Sequence, residues 1–279
     1  MQETKTLDTR YDTVNQLFYK VLPAIVAIET VDANGDYGIG TGFHVGDGIV
    51  LTARHVVEGM RSTKLESRHA QRGIIHEIVF AKNPLADVAL LRTDLDFRHY
   101  REKTHIHGLK YRKSDHLLLG VEWDDFADES LVLYDVIVMG FPPIPTAKPA
   151  IITIRAHVSA IVDQYPIGGK NPPPVYVLSG IPRGGFSGAP MIVDAGDNSF
   201  VLGIVTSALV SNHGLPETGF MAAVTIESVL ELLHENGVYP GENALAVKAF
   251  ASELTPDEEA AFLGSRATSR NTFDSDEAS

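Results

Sequence analysis

Ser187 lies in a glycine-rich stretch, Gly180–Pro190, whose residue types could present a nucleophile. Apolar runs flank this stretch, and Gly184, Gly185 and Gly188 allow the backbone to turn tightly and to approach a ligand closely. Such a loop would expose the serine hydroxyl. Its own amide, and the amide two residues earlier, could face a developing oxyanion. A glycine-rich hairpin loop without chemistry explains the same residues, so the hypothesis of a nucleophile requires a base and an acid elsewhere.

His55 and Asp87 are the best candidates for these two partners. His55 follows the apolar run 48–53, and a strand end would fix the orientation of a general base. Asp87 opens the all-apolar run 88–91, where a carboxylate could be buried and accept the imidazole N–H. Asp94 and Asp96 have more polar surroundings. The alternatives are a packed histidine at a strand end and an aspartate that caps a strand.

The composition excludes several other classes of protein. The 279 residues, 44% hydrophobic and 21% charged, are typical of a soluble protein, and the absence of cysteine excludes disulfides and a thiol nucleophile. A net charge of −13 argues against nucleic acid or an anionic membrane surface as a partner. We find no signal peptide, and no apolar run approaches the ~20 residues that span a bilayer. We therefore expect a cytoplasmic protein.

Short apolar runs separated by turn residues predict an all-β fold. The predicted strands are Ala24–Thr30, Thr41–Val45, Gly48–Thr52, Ile74–Phe80, Val88–Arg92, Leu131–Gly140, Ala150–Val162, Val175–Ser179, Pro190–Val193, Val201–Val205 and Phe220–Val224. A polar stretch follows His55 to about Arg72, and residues 96–130 are interpreted as a connector with an insertion. Helical spacing of apolar residues predicts helices over 11–20 and 225–236, the second capped by Gly237.

Residues 240–279 form an acidic C-terminal tail, with three basic and eight acidic residues giving 3 − 8 = −5. A helix is predicted over Ala244–Leu254. Thr255 and Glu258 form a capping box that starts a second helix to about Leu263. The Ser/Thr/Asp-rich sequence from Gly264 predicts disorder.

Four motifs together resemble the trypsin/chymotrypsin clan of serine proteases, nearest to its bacterial HtrA/Deg-type branch without a PDZ domain. In chain order they are Thr52-Ala53-Arg54-His55-Val56-Val57, Asp87-Val88-Ala89-Leu90-Leu91, Gly185-Phe186-Ser187-Gly188-Ala189-Pro190 and Gly203-Ile204-Val205-Thr206. The resemblance covers roughly residues 12–236. It implies a protease domain over 1–239, with one antiparallel six-stranded β-barrel over about 21–95, a second over 131–224, and the active site between them.

The resemblance also implies a role for each site residue. His55 would be the base, Asp87 its orienting acid and Ser187 the nucleophile, with the amides of Gly185 and Ser187 forming the oxyanion hole. Thr206 would hydrogen-bond Asp87, and Thr206, Ser207 and Ala208 would pair with the substrate backbone. The primary specificity pocket would be lined by Ile181, Ala208 and Gly219. None of these three carries a carboxylate, so we expect cleavage after small or medium aliphatic residues rather than after Lys or Arg.

Phe186 departs from the clan's pattern, because trypsins carry an aspartate there that pairs with a newly cleaved N-terminus. A phenylalanine cannot make that ion pair. It could anchor the loop by burial or leave the oxyanion hole collapsed until a partner binds.

The sequence therefore predicts a serine endopeptidase that needs no cofactor and no metal and acts on peptides or proteins. The alternative is a catalytically silent or latent module of the same fold that binds peptides or a partner protein. We also consider a homo-oligomer, or a regulatory partner that docks on the tail.

Overall fold

The structure is a computed structural model that describes residues 17–67, 72–95, 104–106, 109–111, 116–121, 131–144, 150–181, 183–195, 198–210 and 216–270. Its largest elements are two seven-stranded sheets. The predicted all-β fold with two barrel-like sheets is confirmed. Each sheet has six longer strands and one strand of two residues.

The first sheet is antiparallel and has the strand order β5-β4-β1-β2-β3-β7-β6. Its strands are β1 Ile25–Val31, β2 Tyr37–Gly46, β3 Ile49–Ala53, β4 Ser62–Ser67, β5 Arg72–Gly73, β6 Ile75–Phe80 and β7 Val88–Thr93. All five residues of β3 are buried between β2 and β7, which explains why four of them are apolar. The turn into β3 has positive φ at Gly46, Asp47 and Gly48.

The second sheet has the order β10-β15-β14-β11-β12-β13-β16 and is closed by a further pairing of β15 with β16. Its strands are β10 Leu118–Leu119, β11 Asp135–Gly140, β12 Ile152–Val162, β13 Val175–Ser179, β14 Pro190–Ala195, β15 Asn198–Val210 and β16 Pro216–Thr225. The two-residue strand β10 is parallel to β15, and the other pairings are antiparallel.

The two sheets share one hydrophobic cluster and each also has its own. Phe43 and Leu90 of the first sheet lie in the shared cluster with Met139 and Ile204 of the second. Burial of these side chains stabilises the docking of the two sheets. The segments that carry the predicted site residues are therefore attached to a continuous core.

The C-terminal helices pack on this core. They are α2 Glu227–Glu235, α3 Ala244–Phe250 and α4 Pro256–Arg270; a short helix, α1 Arg54–Val57, precedes them in the chain. Gly237 ends α2 with φ 62°, as predicted. The capping box at α4 is confirmed: the Thr255 amide donates to the Glu258 carboxylate at 3.0 Å and the Glu258 amide to the Thr255 hydroxyl at 3.3 Å.

The segment after α2 is attached to strands of both sheets through Asn243, which is 1% exposed. Its side-chain amide donates to the carbonyls of Val45 at 2.7 Å and Leu117 at 2.9 Å, and its side-chain oxygen accepts the Leu119 amide at 2.7 Å. Phe262 of α4 is buried in the shared cluster. The chain thus continues in packed helices past residue 240, and the second helix of the tail, predicted to end at about Leu263, extends to Arg270.

Three other predictions need correction or fall partly outside the described residues. The polar stretch after His55, in which no strand is predicted, contains β4, which pairs with β1. Leu65 is the only apolar residue of β4, so the alternation that marks a strand is missing. The connector predicted over 96–130 contains the hairpin β8 Thr104–Ile106 and β9 Leu109–Tyr111, and β10; its other described residues are 116, 117, 120 and 121. Residues 17–21 are helical, and the rest of the predicted N-terminal helix lies outside the described residues.

No helix in the described ranges is long and apolar enough to span a bilayer.

Candidate active site

His55 and Asp87 are joined by two hydrogen bonds. The His55 ring nitrogen Nδ1 lies 2.8 Å from Oδ2 of Asp87, and the His55 backbone amide donates to Oδ1 at 3.0 Å. The side chains are 47% and 29% exposed, respectively. The carboxylate therefore orients the imidazole and at the same time binds an amide in the first turn of α1. Asp87 thus contacts the imidazole, as the interpretation as an acid requires, and binds a helix amide rather than capping a strand.

The backbone around Asp87 explains how it reaches His55. A 3-10 turn at Pro84–Ala86 precedes it, and the Asn83 side chain caps that turn by accepting the Leu85 amide at 3.1 Å. Asp87 itself has φ 47°, a left-handed conformation that aspartate adopts more readily than most residues. Its carbonyl also accepts the Arg54 amide at 3.0 Å. Backbone and side chain of Asp87 together hold the start of α1.

The guanidinium of Arg54, the residue before His55, contacts an aromatic ring and a carboxylate. Its guanidinium lies 4.8 Å from the centre of the Phe80 ring and 2.5 Å from the Glu58 carboxylate. The hydrogen bond to Glu58 raises the pKa of Arg54, and the same bond lowers the pKa of Glu58. The contacts with Glu58 and with the Phe80 ring hold the Arg54 guanidinium against the first sheet.

Ser187 is brought to the same strand end through backbone contacts. Its carbonyl accepts the Thr41 amide at 2.8 Å. A Cβ added at Gly188 would lie 2.2 Å from Oγ1 of Thr52 and 3.0 Å from the amide nitrogen of Ala53, so only glycine fits there. Ala53 is two residues before His55. Within the described residues, the Ser187 hydroxyl and the His55 ring make no hydrogen bond with each other, which is common in proteases without bound substrate.

The loop before Ser187 is a four-residue turn from Arg183 to Phe186. The Phe186 amide donates to the Arg183 carbonyl at 3.3 Å, and Gly185, at the third position, has φ 88°. A positive φ there is that of a type II turn, which requires glycine. The amides of Gly185 and Ser187 donate to no acceptor within the described residues, and both amides therefore remain available to a ligand.

The side chain of Phe186 is buried beneath this loop. Its side chain is 1% exposed and belongs to the hydrophobic cluster of the second sheet. A Cβ on Gly140 would lie 2.7 Å from the Phe186 ring, so Gly140 makes room for it. The first of the two alternatives for this residue, anchoring by burial, describes its position.

Residues 206–208 lie in β15 where that strand has a free edge. Ser207 and Ala208 pair with Ala222 and Met221 of β16, and on the other side β14 stops pairing at Ile204. Within the described residues no strand occupies that second edge. Thr206 sits at an irregularity in the β15–β16 pairing, and its hydroxyl makes no hydrogen bond to Asp87 within the described part of the chain.

Of the three residues predicted to line the specificity pocket, the structure places two near each other. Gly219 has φ 110° and its carbonyl accepts the Gly180 amide at 2.7 Å, next to Ile181, which is 62% exposed. The side chain of Ala208 lies outside the described part.

An apolar cleft of about 320 Å³ borders the serine loop and is lined by Pro142, Ile152, Ile154, Ile181, Arg183 and Phe186. Gly219 is not among its lining residues.

Thr41 is a site residue that the sequence interpretation missed. It is fully buried, and its hydroxyl and backbone bind the serine loop and β3. A signal was present in the sequence, because Gly38, Gly40 and Gly42 alternate along β2. Glycines in a strand often mark the close approach of another backbone. A Cβ at Gly40 would indeed lie 3.3 Å from the Ser187 carbonyl oxygen.

The fold and the site define a class of protein. The family of trypsin-like peptidase domains matches residues 40–204, more than half of the chain, and the chain belongs to this family.

Among solved structures, the chain resembles the active form of the Rv3671c protease from M. tuberculosis, with a TM-score of 0.57 and 20% identity over 80% of this chain and 85% of that one. It resembles the HtrA-type protease AlgW with a tripeptide, at a TM-score of 0.56 and 20% identity; the match covers 80% of this chain and spans 64% of the AlgW chain. HL collagenase has a TM-score of 0.55 and 16% identity over 78% of this chain and 95% of its own. No curated protein matches the sequence significantly.

Proposed function

We propose that this protein is a serine endopeptidase in which Ser187 is the nucleophile, His55 the general base and Asp87 the orienting acid. The observation that carries the proposal is the contact of Asp87 Oδ2 with His55 Nδ1 at 2.8 Å, at the strand end to which the Ser187 loop is attached. Because Nδ1 is held by the carboxylate, Nε2 is the ring nitrogen left to accept a proton.

The reaction follows from these positions. His55 Nε2 takes the proton of the Ser187 hydroxyl as Oγ attacks the carbonyl carbon of the peptide bond. The resulting imidazolium is stabilised by Asp87 and gives its proton to the leaving amine, which leaves an acyl-enzyme. Water, deprotonated by the same imidazole, then attacks the ester and releases the second product with regeneration of the serine.

The amides of Gly185 and Ser187 would stabilise the oxyanion of both tetrahedral intermediates. Support comes from the turn at Gly185 and from the lack of an acceptor for either amide in the described residues. Loss of a single oxyanion donor typically lowers kcat by about 10²–10³-fold. A preformed pair of donors of this kind accounts for a large part of the expected rate.

Substrate would bind as an added strand on the free edge of residues 206–208 and place its side chain near Ile181. The apolar residues of the neighbouring cleft, and the cationic Arg183 among them, favour small or medium aliphatic side chains over Lys and Arg. Rates of cleavage of two peptide series, identical except for Arg or Val directly before the scissile bond, test this preference. Equal cleavage after Arg and after Val contradicts it. Ile181→Asp is expected to shift the ratio toward Lys and Arg.

Labelling with a fluorophosphonate probe tests the proposed function. The wild-type protein should form a covalent adduct at Ser187, and Ser187→Ala should form none. The alternative is a silent or latent peptide-binding module, in which the Ser187 hydroxyl and the His55 ring would not be brought together. Folded wild-type protein that neither labels nor cleaves peptides under any condition would establish that alternative.

A further inference from the structure

Thr41 makes four hydrogen bonds at the boundary between the first sheet and the serine loop. Its hydroxyl donates to the Gly185 carbonyl at 2.6 Å and accepts the Phe141 amide at 3.0 Å. Its own amide donates to the Ser187 carbonyl at 2.8 Å, and its carbonyl accepts the Thr52 hydroxyl at 2.7 Å. The residue is 0% exposed, so water cannot replace any of these partners.

The directions of these bonds are fixed by the chemistry of a single hydroxyl. Because the oxygen accepts the Phe141 amide, its one proton is available for the Gly185 carbonyl. Without the hydroxyl, that carbonyl and the Phe141 amide would both be buried without a partner, which is costly. Rotation of the Gly185–Phe186 peptide toward another donor would change ψ of Gly185 and displace the turn that ends at Phe186.

The backbone angles of Gly185 decide where its amide points. In the observed type II turn Gly185 has φ 88°. Rotation of the central peptide would give a type I turn, with a negative φ at Gly185 and the Gly184–Gly185 peptide reversed. Both turns keep the bond between the ends Arg183 and Phe186. The turn alone therefore does not choose the arrangement in which the Gly185 amide is free for an oxyanion.

We propose that Thr41 is the positioning residue that holds the Gly185 turn in its open arrangement. This inference rests on the proposed function for the role of the Gly185 amide. The Thr41 hydroxyl holds the carbonyl of Gly185 by a hydrogen bond, and the Thr41 amide holds the carbonyl of Ser187 in the same way. One buried residue of the first sheet thus holds both residues whose amides would bind the oxyanion.

A matched pair of threonine variants separates positioning from stability. Thr93 makes the same pattern of bonds elsewhere on the first sheet: its hydroxyl donates to the Gly48 carbonyl at 2.7 Å and accepts the Leu95 amide at 3.2 Å. It lies at the opposite end of β7 from Asp87. Thr41→Val and Thr93→Val each remove one hydroxyl of this kind from the full-length protein.

The first measurement is steady-state cleavage of an aliphatic peptide with each folded variant. Thr41→Val should lower kcat by about 10- to 100-fold, less than the loss of a donor itself, with KM nearly unchanged. Thr41→Ser restores the hydroxyl and should recover most of kcat, whereas Thr41→Ala should not. Thr93→Val should keep wild-type kcat even if its melting temperature falls. Equal kcat in Thr41→Val and Thr93→Val, or a change confined to KM, would overturn the proposal.

The second measurement does not depend on catalysis. Amide hydrogen exchange of fragments covering residues 183–189 should be about tenfold or more faster in Thr41→Val than in wild type, and unchanged in Thr93→Val. Unchanged exchange in Thr41→Val overturns the proposal whether or not the protein cleaves peptides. Wild-type protein that never labels with the fluorophosphonate, combined with faster exchange in Thr41→Val, would contradict the proposed function and leave the holding of the turn established. If Thr41→Val does not fold, Thr41→Ala and Thr41→Ser are compared in both measurements.

Discussion

Asp87 binds His55 through both of its carboxylate oxygens, Oδ1 to the backbone amide at 3.0 Å and Oδ2 to the ring nitrogen Nδ1 at 2.8 Å. The first contact fixes the backbone of His55, and the second fixes the plane and the tautomer of the His55 ring. Since Asp87 is 29% exposed on its side chain, its charge is partly solvated as well as paired. One carboxylate therefore positions the whole histidine.

Asp87→Asn tests the second contact without removing the first. The amide oxygen can still accept the His55 amide, but the amide nitrogen then faces Nδ1 and forces the proton onto Nε2, the wrong tautomer for a base. We expect kcat to fall by about 10⁴-fold, as for the same change in related triads. The unfolding midpoint in urea should change little. Asp94→Asn serves as the control, and retention of kcat in Asp87→Asn would show that His55 does not act through this pair.

Gly185→Ala tests the turn that presents the oxyanion amide. A Cβ at Gly185 would lie 2.2 Å from the Phe141 carbonyl oxygen, and φ 88° is unfavourable for alanine. We expect the turn to rearrange and fluorophosphonate labelling to slow by about 10²-fold or more.

Gly184→Ala is the matched control for this change, because a Cβ at Gly184 meets no described atom within 4 Å. It should label at nearly the wild-type rate. Equal rates for the two alanine variants would show that the conformation of Gly185 is not needed for acylation.

Phe186→Ala tests whether burial of this ring holds the serine loop. The substitution leaves a cavity in the second sheet's cluster, and the free energy of unfolding should fall by roughly 3–5 kcal/mol. If the ring also anchors the loop, the labelling rate of the folded protein falls as well. Phe186→Leu keeps most of the apolar contact and should preserve labelling. A variant that loses stability but labels normally would limit Phe186 to a packing role.

The elements with regular apolar patterns were predictable from the sequence, and those without were not. Strand β13 has the predicted bounds, Val175–Ser179, because it is a continuous apolar run bounded by proline and glycine. Strand β4 has one apolar residue and depends on pairing with β1, which no local pattern reveals. Long-range pairing overrides local propensity in such strands.

The candidate site divides in the same way. His55, Asp87 and Ser187 were predicted because each lies at the edge of an apolar run or in a glycine loop. The contact of Thr41 with Gly185 joins residues 144 positions apart through a side chain, and a threonine inside a strand looks like an ordinary strand residue. The second contact of Asp87, to an amide of α1, likewise depends on how two segments dock.

Glu258 makes the stability of the C-terminal helices depend on pH. Its hydrogen bond with Lys248, at 2.5 Å, together with the Thr255 bonds, lowers its pKa from 4.5 to about 2. Because the pKa is lower in the folded protein, the stabilisation is fully present above about pH 4.5 and is lost as the pH falls through about 2. Glu258→Gln keeps an acceptor for the Thr255 amide but removes the charge, so it should be less stable than wild type near neutral pH, and the difference should close on acidification. Unfolding midpoints of both proteins across this range measure the difference.

Glu259→Gln is the control, because Glu259 makes no ion pair within the described residues, and its difference from wild type should not change with pH. A constant difference at all pH values would mean that the charge of Glu258 does not contribute to the docking of α4.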